Sequence, residues 1–150
     1  MMLTRRKALA LSAGVSAVAM TGFAGLAFAS AEDTQKLMME FTGGKEPASG
    51  TITLTAPEIA ENGNTVPISV SVESPMTAES YVESVVLYAD GNPNPAVATF
   101  HFSPMSGQAS ATTRMRLAKT QNVVAVAKMN DGSVFMDTKQ VKVTIGGCGG

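Results

Sequence analysis

The sequence predicts an all-β protein: an immunoglobulin-like sandwich of two antiparallel sheets, with a short N-terminal helix before it and a flexible glycine-rich arm after it. Three observations carry that expectation. From Gly50 onward apolar side chains recur at every second residue, the period of a half-buried strand. Turn-forming clusters divide the same region into about seven short strands at the spacing of a β-sandwich. The 150 residues, 45% hydrophobic and 15% charged, suffice for one core of ordinary size.

The chain opens on Thr4-Arg5-Arg6-Lys7, followed by an uncharged, Ala-rich stretch from Ala8 to Ala29 that Gly14, Gly22 and Gly25 interrupt. Such a stretch is less apolar than a stable membrane span. Ala27-Phe28-Ala29 supplies the small-x-small pattern of signal peptidase and places a cut between Ala29 and Ser30. Residues 1–29 therefore read as a signal peptide. The pair Arg5 and Arg6 ahead of a weakly apolar region resembles a twin-arginine signal, although Ala8 stands where a large apolar residue is usual. General secretion and an uncleaved anchor helix are the alternatives. On each of these readings the functional part works outside the cytoplasm.

The domain proper is expected over residues 30–145. Asp33 to Phe41 is expected to be helical, with Leu37, Met38 and Phe41 on one side and Gly43-Gly44 ending it. Strands follow at Ile52–Leu54, Val66–Val72, Tyr81–Ala89, Ala96–Ser103, Ala109–Ala118, Val123–Lys128 and Val134–Ile145. Turn signals separate them at Glu61-Asn62-Gly63-Asn64, Asp90-Gly91-Asn92-Pro93, Ser106-Gly107 and Asn130-Asp131-Gly132. The nearly continuous apolar run Val123 to Ala127 fits a central strand or one covered by a second subunit. No Cys–Trp–Cys pattern is present, which excludes an immunoglobulin domain in the strict sense.

Composition removes several function classes. Three of the eleven basic residues precede residue 8; without them eight face twelve acidic side chains, a net charge of −4. A mildly acidic domain lacks the clustered Lys and Arg that phosphate backbones require. One Cys and one His cannot build a zinc, haem or iron–sulfur site, nor an internal disulfide, so no metal and no cofactor are expected. Met76, Met105, Met115, Met129 and Met136 read as adaptable core or interface filling, with Cu(I) binding as the alternative. His101 alternates with Phe100 and Phe102 and is expected to face solvent. Arg114 and Arg116 share one strand face opposite Met115 and Leu117; a solvated face is the plain reading, an acidic partner or anionic cargo the functional one.

The chemistry lies at the C-terminus. The alternating strand Val141 to Ile145 gives way to Gly146-Gly147-Cys148-Gly149-Gly150. Free Cys is ordinarily among the most buried residues, yet here the chain's one thiol stands among four glycines. Residues 146–150 therefore read as a flexible arm presenting Cys148 to clefts on other proteins. In an extended chain the arm carries the thiol ~10 Å past the last strand. The thiol has no neighbouring cation or base in sequence, so it is expected near its ordinary pKa of ~8.5 and is not set up to catalyse. Gly147→Val is accordingly expected to leave stability unchanged while impairing threading into partners.

These residues resemble the SoxY family of bacterial thiosulfate-oxidising Sox systems. The likeness rests on Val143-Thr144-Ile145 followed by the glycine-flanked Cys148, and on the segments Pro57–Gly63, Val66–Val70, Asn94-Pro95, Ala98–Phe100, Thr113–Ala118 and Val123–Ala127. What the resemblance implies is an immunoglobulin-like fold and a non-enzymatic sulfur carrier holding thiosulfate-derived sulfur covalently on Cys148. It further implies a SoxZ-like partner subunit forming a heterodimer. A SoxXA-like c-type cytochrome would load the arm, a SoxB-like hydrolase would release sulfate, and a SoxCD-like sulfur dehydrogenase would act where present. Two other readings stay open. Cys148 could form an intermolecular disulfide in a structural dimer. A C-terminal Gly-Gly also fits a ubiquitin-like thiocarboxylate carrier, which the export signal disfavours.

Overall fold

The computed structural model describes residues 31–147. The expected signal residues Arg5, Arg6, Ala29 and Ser30, and the arm residues Cys148, Gly149 and Gly150, lie outside the described residues.

Helix α1 spans Ala31–Thr42. Eight strands follow: β1 (Ile52–Thr55), β2 (Ile59–Ala60), β3 (Val66–Val72), β4 (Val82–Ala89), β5 (Ala96–His101), β6 (Ala109–Met115), β7 (Gln121–Met129) and β8 (Val134–Val143). They form two sheets, β1-β3-β6 and β2-β8-β7-β4-β5. The sandwich is therefore as expected, apart from one small addition. The two-residue β2 pairs parallel to β8, through Ile59 with Lys142 and Ala60 with Val143. Every other strand pair is antiparallel.

Period-two alternation builds the space between the sheets. In β3, Val66, Ile68, Val70 and Val72 are buried while Pro67 and Ser71 face out. They meet Val85, Leu87, Val123, Ala125 and Ala127 of the larger sheet in one core. Met76, Met115 and Met129 belong to that core, Met136 packs beneath α1, and Met105 is 97% exposed. The methionines thus fall in three separate places, and core filling describes all but Met105.

β7 lies between β8 and β4 and is buried on both faces. Its second face is covered by the chain itself: Leu37, Met38 and Phe41 of α1 pack on Val86, Tyr88, Val124 and Val126. Leu37, Met38 and Phe41 are half-buried, so each contributes part of the ~1.5–3 kcal/mol of a fully buried side chain, and together they support a twelve-residue helix that would be marginal alone. Gly43 and Gly44, at φ of 67° and 85°, end the helix, and the Gly44 N–H donates to the Met39 carbonyl at 2.9 Å. Burial, with a smaller contribution from Glu40, raises the Tyr88 phenol above its ordinary pKa.

Candidate functional site at the root of the C-terminal arm

Strand β8 delivers the arm, and its end is tied down on both sides. The Lys142 N–H donates to the Glu58 carbonyl at 2.9 Å and the Thr144 N–H to the Ala60 carbonyl at 3.1 Å. The Thr144 hydroxyl bridges the Ala60 and Glu61 carbonyls at 3.3 and 3.1 Å. Across the strand, the Thr120 hydroxyl accepts from the Val143 N–H at 2.9 Å.

Beyond β8 the glycines behave differently from a free tail. Gly147 is buried, and its N–H donates to the Leu117 carbonyl at 2.8 Å. Gly63 lies between these two stretches: its N–H donates to the Ile145 carbonyl at 2.7 Å, and its carbonyl accepts from the Leu117 N–H at 2.8 Å. Only glycine fits this crossing. A Cβ on Gly63 would stand 2.3 Å from the Leu117 carbonyl oxygen and 2.7 Å from the Gly147 nitrogen. One on Gly146 would stand 2.2 Å from the Ala118 oxygen, and one on Gly147 2.6 Å from the Gly63 oxygen. The arm expected to be flexible from Gly146 is instead seated through Gly147. The lack of a Cβ that gives glycine its freedom also allows this close approach.

The seat is rigid because its backbone groups are paired. Asn92, 1% exposed, donates through Nδ2 to the Arg116 carbonyl at 2.8 Å and accepts from the Ala118 N–H at 3.0 Å. The Gln121 Nε2 donates to the same Asn92 oxygen at 2.9 Å and to the Lys119 carbonyl at 3.0 Å, and Gln121 Oε1 accepts from the Gly91 N–H at 2.8 Å. Residues 116–118 are thus held between the Asn92 turn and Gly63. The Asn62 side chain in turn accepts from the Asn64 N–H at 2.9 Å, closing the loop that carries Gly63. Asn92 and Gly63 were legible as turn residues but not as supports of the arm, since nothing local in the sequence joins them to Gly147.

The remaining candidates fall as follows. His101 is exposed on β5, while Phe100 and Phe102 pack against the core. Arg114 and Arg116 are exposed, on the opposite side from the buried Met115 and Leu117, and both line one cavity with Asn92 and Asn94. Among the described residues no group of three or more His, Cys, Asp or Glu could hold a metal ion.

The family described as "Sulfur oxidation protein SoxY" matches residues 38–148, about three quarters of the sequence. The chain belongs to the SoxY family. Among solved structures, the SoxY sulfur carrier protein of Chlorobium limicola f thiosulfatophilum is 32% identical, with a TM-score of 0.63 covering 77% of this chain and 100% of that one. A variant of the superoxide reductase (neelaredoxin) of Ignicoccus hospitalis is 26% identical, with a TM-score of 0.57 over 64% of this chain and 82% of its own. A putative superoxide reductase of Thermotoga maritima, 20% identical with a TM-score of 0.52 over 69% and 89%, shares the fold alone. No curated protein matches the chain. Membership in SoxY places the chain in sulfur oxidation, among carriers rather than catalysts.

Proposed function

We propose that the chain is a periplasmic sulfur carrier that holds its cargo covalently on Cys148 and presents it to enzymes of the Sox system. The observation that carries this reading is the position of the one thiol. It follows by a single peptide a glycine root that is seated at the end of β8. A thiol one residue beyond that root starts from a fixed point on a folded body.

The cycle needs no catalytic group from this chain. Oxidative coupling joins the Cys148 sulfur to the outer sulfur of thiosulfate and releases two electrons, which a SoxXA-like cytochrome accepts. The product is Cys–S–S–SO3−. Hydrolysis by a SoxB-like enzyme adds water across the S–SO3 bond, releasing sulfate and two protons and leaving Cys–S–S−. A SoxCD-like dehydrogenase oxidises that sulfane sulfur where it is present, and a SoxZ-like subunit completes the carrier. Residues 1–29 act as the export signal on this reading, 30–145 as the carrier body and 146–150 as the arm. Among the described residues no helix is long and apolar enough to cross a membrane.

The test is Cys148→Ser in a reconstituted thiosulfate-oxidising system. The variant folds like the parent and supports no thiosulfate-dependent electron transfer. Retained turnover would remove the carrier reading.

A further inference from the structure

Between α1 and β8 lies a cavity of about 360 Å³ whose wall includes three methionines, Met38 and Met39 of the helix and Met136 of the strand. The described residues hold seven methionines, and three of them meet at this one place. Gln35, Thr42 and Glu46 supply the polar part of the wall. Glu46 is the one charged residue in it, and no Lys or Arg lines it.

Three stretches of chain build this wall, and each is fixed by contacts of its own. Leu37, Met38 and Phe41 seat the helix on Val86, Tyr88, Val124 and Val126, and Met136 packs in the same cluster. The segment after the helix is pinned at two points. Lys45 Nζ donates to the Gly132 carbonyl at 3.0 Å. The Ala48 N–H donates to the Val134 carbonyl at 3.0 Å, and the Met136 N–H to the Ala48 carbonyl at 2.8 Å. Glu46 and Pro47 are held between these anchors, over the strand that carries Met136. Met38 and Met136 also line a second cavity of about 240 Å³ beside Ala31, so both side chains stand where the two cavities meet.

We propose that this cavity binds a soft monovalent cation, Cu(I), with the sulfur atoms of Met38, Met39 and Met136 as its ligands. Thioether donors select Cu(I) over the harder ions that carboxylates and carbonyls hold. The charges agree with a monovalent ion: three neutral thioethers leave it one positive charge, which the Glu46 carboxylate in the wall offsets. A divalent ion finds no comparable ligand set, since among the described residues no group of three or more His, Cys, Asp or Glu could hold one. The cavity is wider than a bare ion, but methionine has three rotatable side-chain bonds, and Met39, 45% exposed, can turn inward on it. Met136 then has two roles, filling the space beneath α1 and offering its sulfur to the ion. A bound ion would tie α1 to β8, where half-buried side chains alone now hold the helix.

The test titrates the full-length protein with Cu(I) under anaerobic conditions, its thiol first blocked with iodoacetamide so that no thiolate competes for the ion. Ag(I), of the same charge and softness, repeats the titration as a redox-inert probe for NMR of methyl-labelled methionine. A built site saturates at one equivalent. The methyl resonances of Met38, Met39 and Met136 then move together, while those of Met76, Met105, Met115 and Met129 stay in place. Competition with a chromophoric Cu(I) chelator gives the affinity. Partners outside the ligand shell are worth about 10–100-fold in metal affinity, so loss of a ligand weakens binding at least about tenfold. Met39→Leu and Met136→Leu are each expected to show that loss. Both swaps conserve volume and apolar character, so the far-UV spectrum stays parental and the helix stays seated. Met105→Leu, at a residue 97% exposed, is expected to bind like the parent. Shifts spread over the methionines in order of exposure, parental affinity in Met39→Leu or Met136→Leu, or the absence of saturable binding would overturn the proposal. None of these measurements depends on the carrier reading.

Discussion

Replacing Gly63 by Ala separates a seated arm root from a loose one. The new Cβ would meet the Leu117 oxygen at 2.3 Å, the Gly147 nitrogen at 2.7 Å and Val143 Cγ1 at 2.9 Å. Two of these are backbone atoms, so no rotamer change relieves the overlap. Overpacking of this kind costs about 1–3 kcal/mol. If the loop retreats instead, the Gly63–Ile145 and Leu117–Gly63 hydrogen bonds are lost, at about 1 kcal/mol each. Either route predicts a loss of about 2–3 kcal/mol, or roughly 10 °C in Tm for a domain of this size. Gly147→Ala differs although its Cβ would also stand 2.6 Å from backbone, at the Gly63 oxygen. The strain there is relieved by lifting the terminal segment, so the loss is capped near the ~1 kcal/mol of the single bond to Leu117. Urea unfolding of both variants measures the difference. A Gly63→Ala variant within 0.5 kcal/mol of the parent, or one less affected than Gly147→Ala, would refute the seat.

Asn92→Ala removes three hydrogen bonds from a residue 1% exposed and leaves the Arg116 carbonyl and Ala118 N–H without that partner; a loss of about 2–4 kcal/mol in urea unfolding is expected, with faster exchange at the Gly147 amide. The Ser133 hydroxyl and N–H both donate to Asp131, and these bonds, aided by Lys45, hold its carboxyl below the ordinary range. The stabilisation is present above the ordinary carboxylate pKa and is lost as pH falls through the lowered one; Ser133→Ala should move the Asp131 titration, followed by NMR, upward. Changing Arg5 and Arg6 to Lys should leave precursor in the cytoplasm if export follows the twin-arginine route, and normal processing on an immunoblot would assign the protein to general secretion.

The sandwich was legible because Val66 to Val72 and the neighbouring strands alternate cleanly and because Gly- and Asn-rich turns divide them. Strand β7 left a choice, since the run Val123 to Ala127 is equally apolar whether a subunit or a helix covers it; the structure supplies Leu37, Met38 and Phe41. Strand β2 was not legible, because Ile59 and Ala60 form a strand solely through their pairing with β8. The site divides in the same way. Cys148 among glycines reads directly as an arm. That Gly146 and Gly147 are seated depends on Gly63 and Leu117, far away in the chain, and a glycine selected for close approach is spelled like one selected for freedom. Parity placed Arg114 and Arg116 on one side, but the cavity they share with Asn92 and Asn94 exists only in the folded chain.

The most direct measurement of the central claim is the intact mass of the purified protein after incubation with thiosulfate and its cytochrome partner, followed by peptide mapping. Carrier function predicts a gain of about 112 Da confined to the peptide that contains Cys148, converted to a gain of about 32 Da when the hydrolase is added, as the oxidation chemistry of a single thiol requires. A doubled mass that collapses on reduction, or an unmodified Cys148 while thiosulfate is consumed, would contradict it.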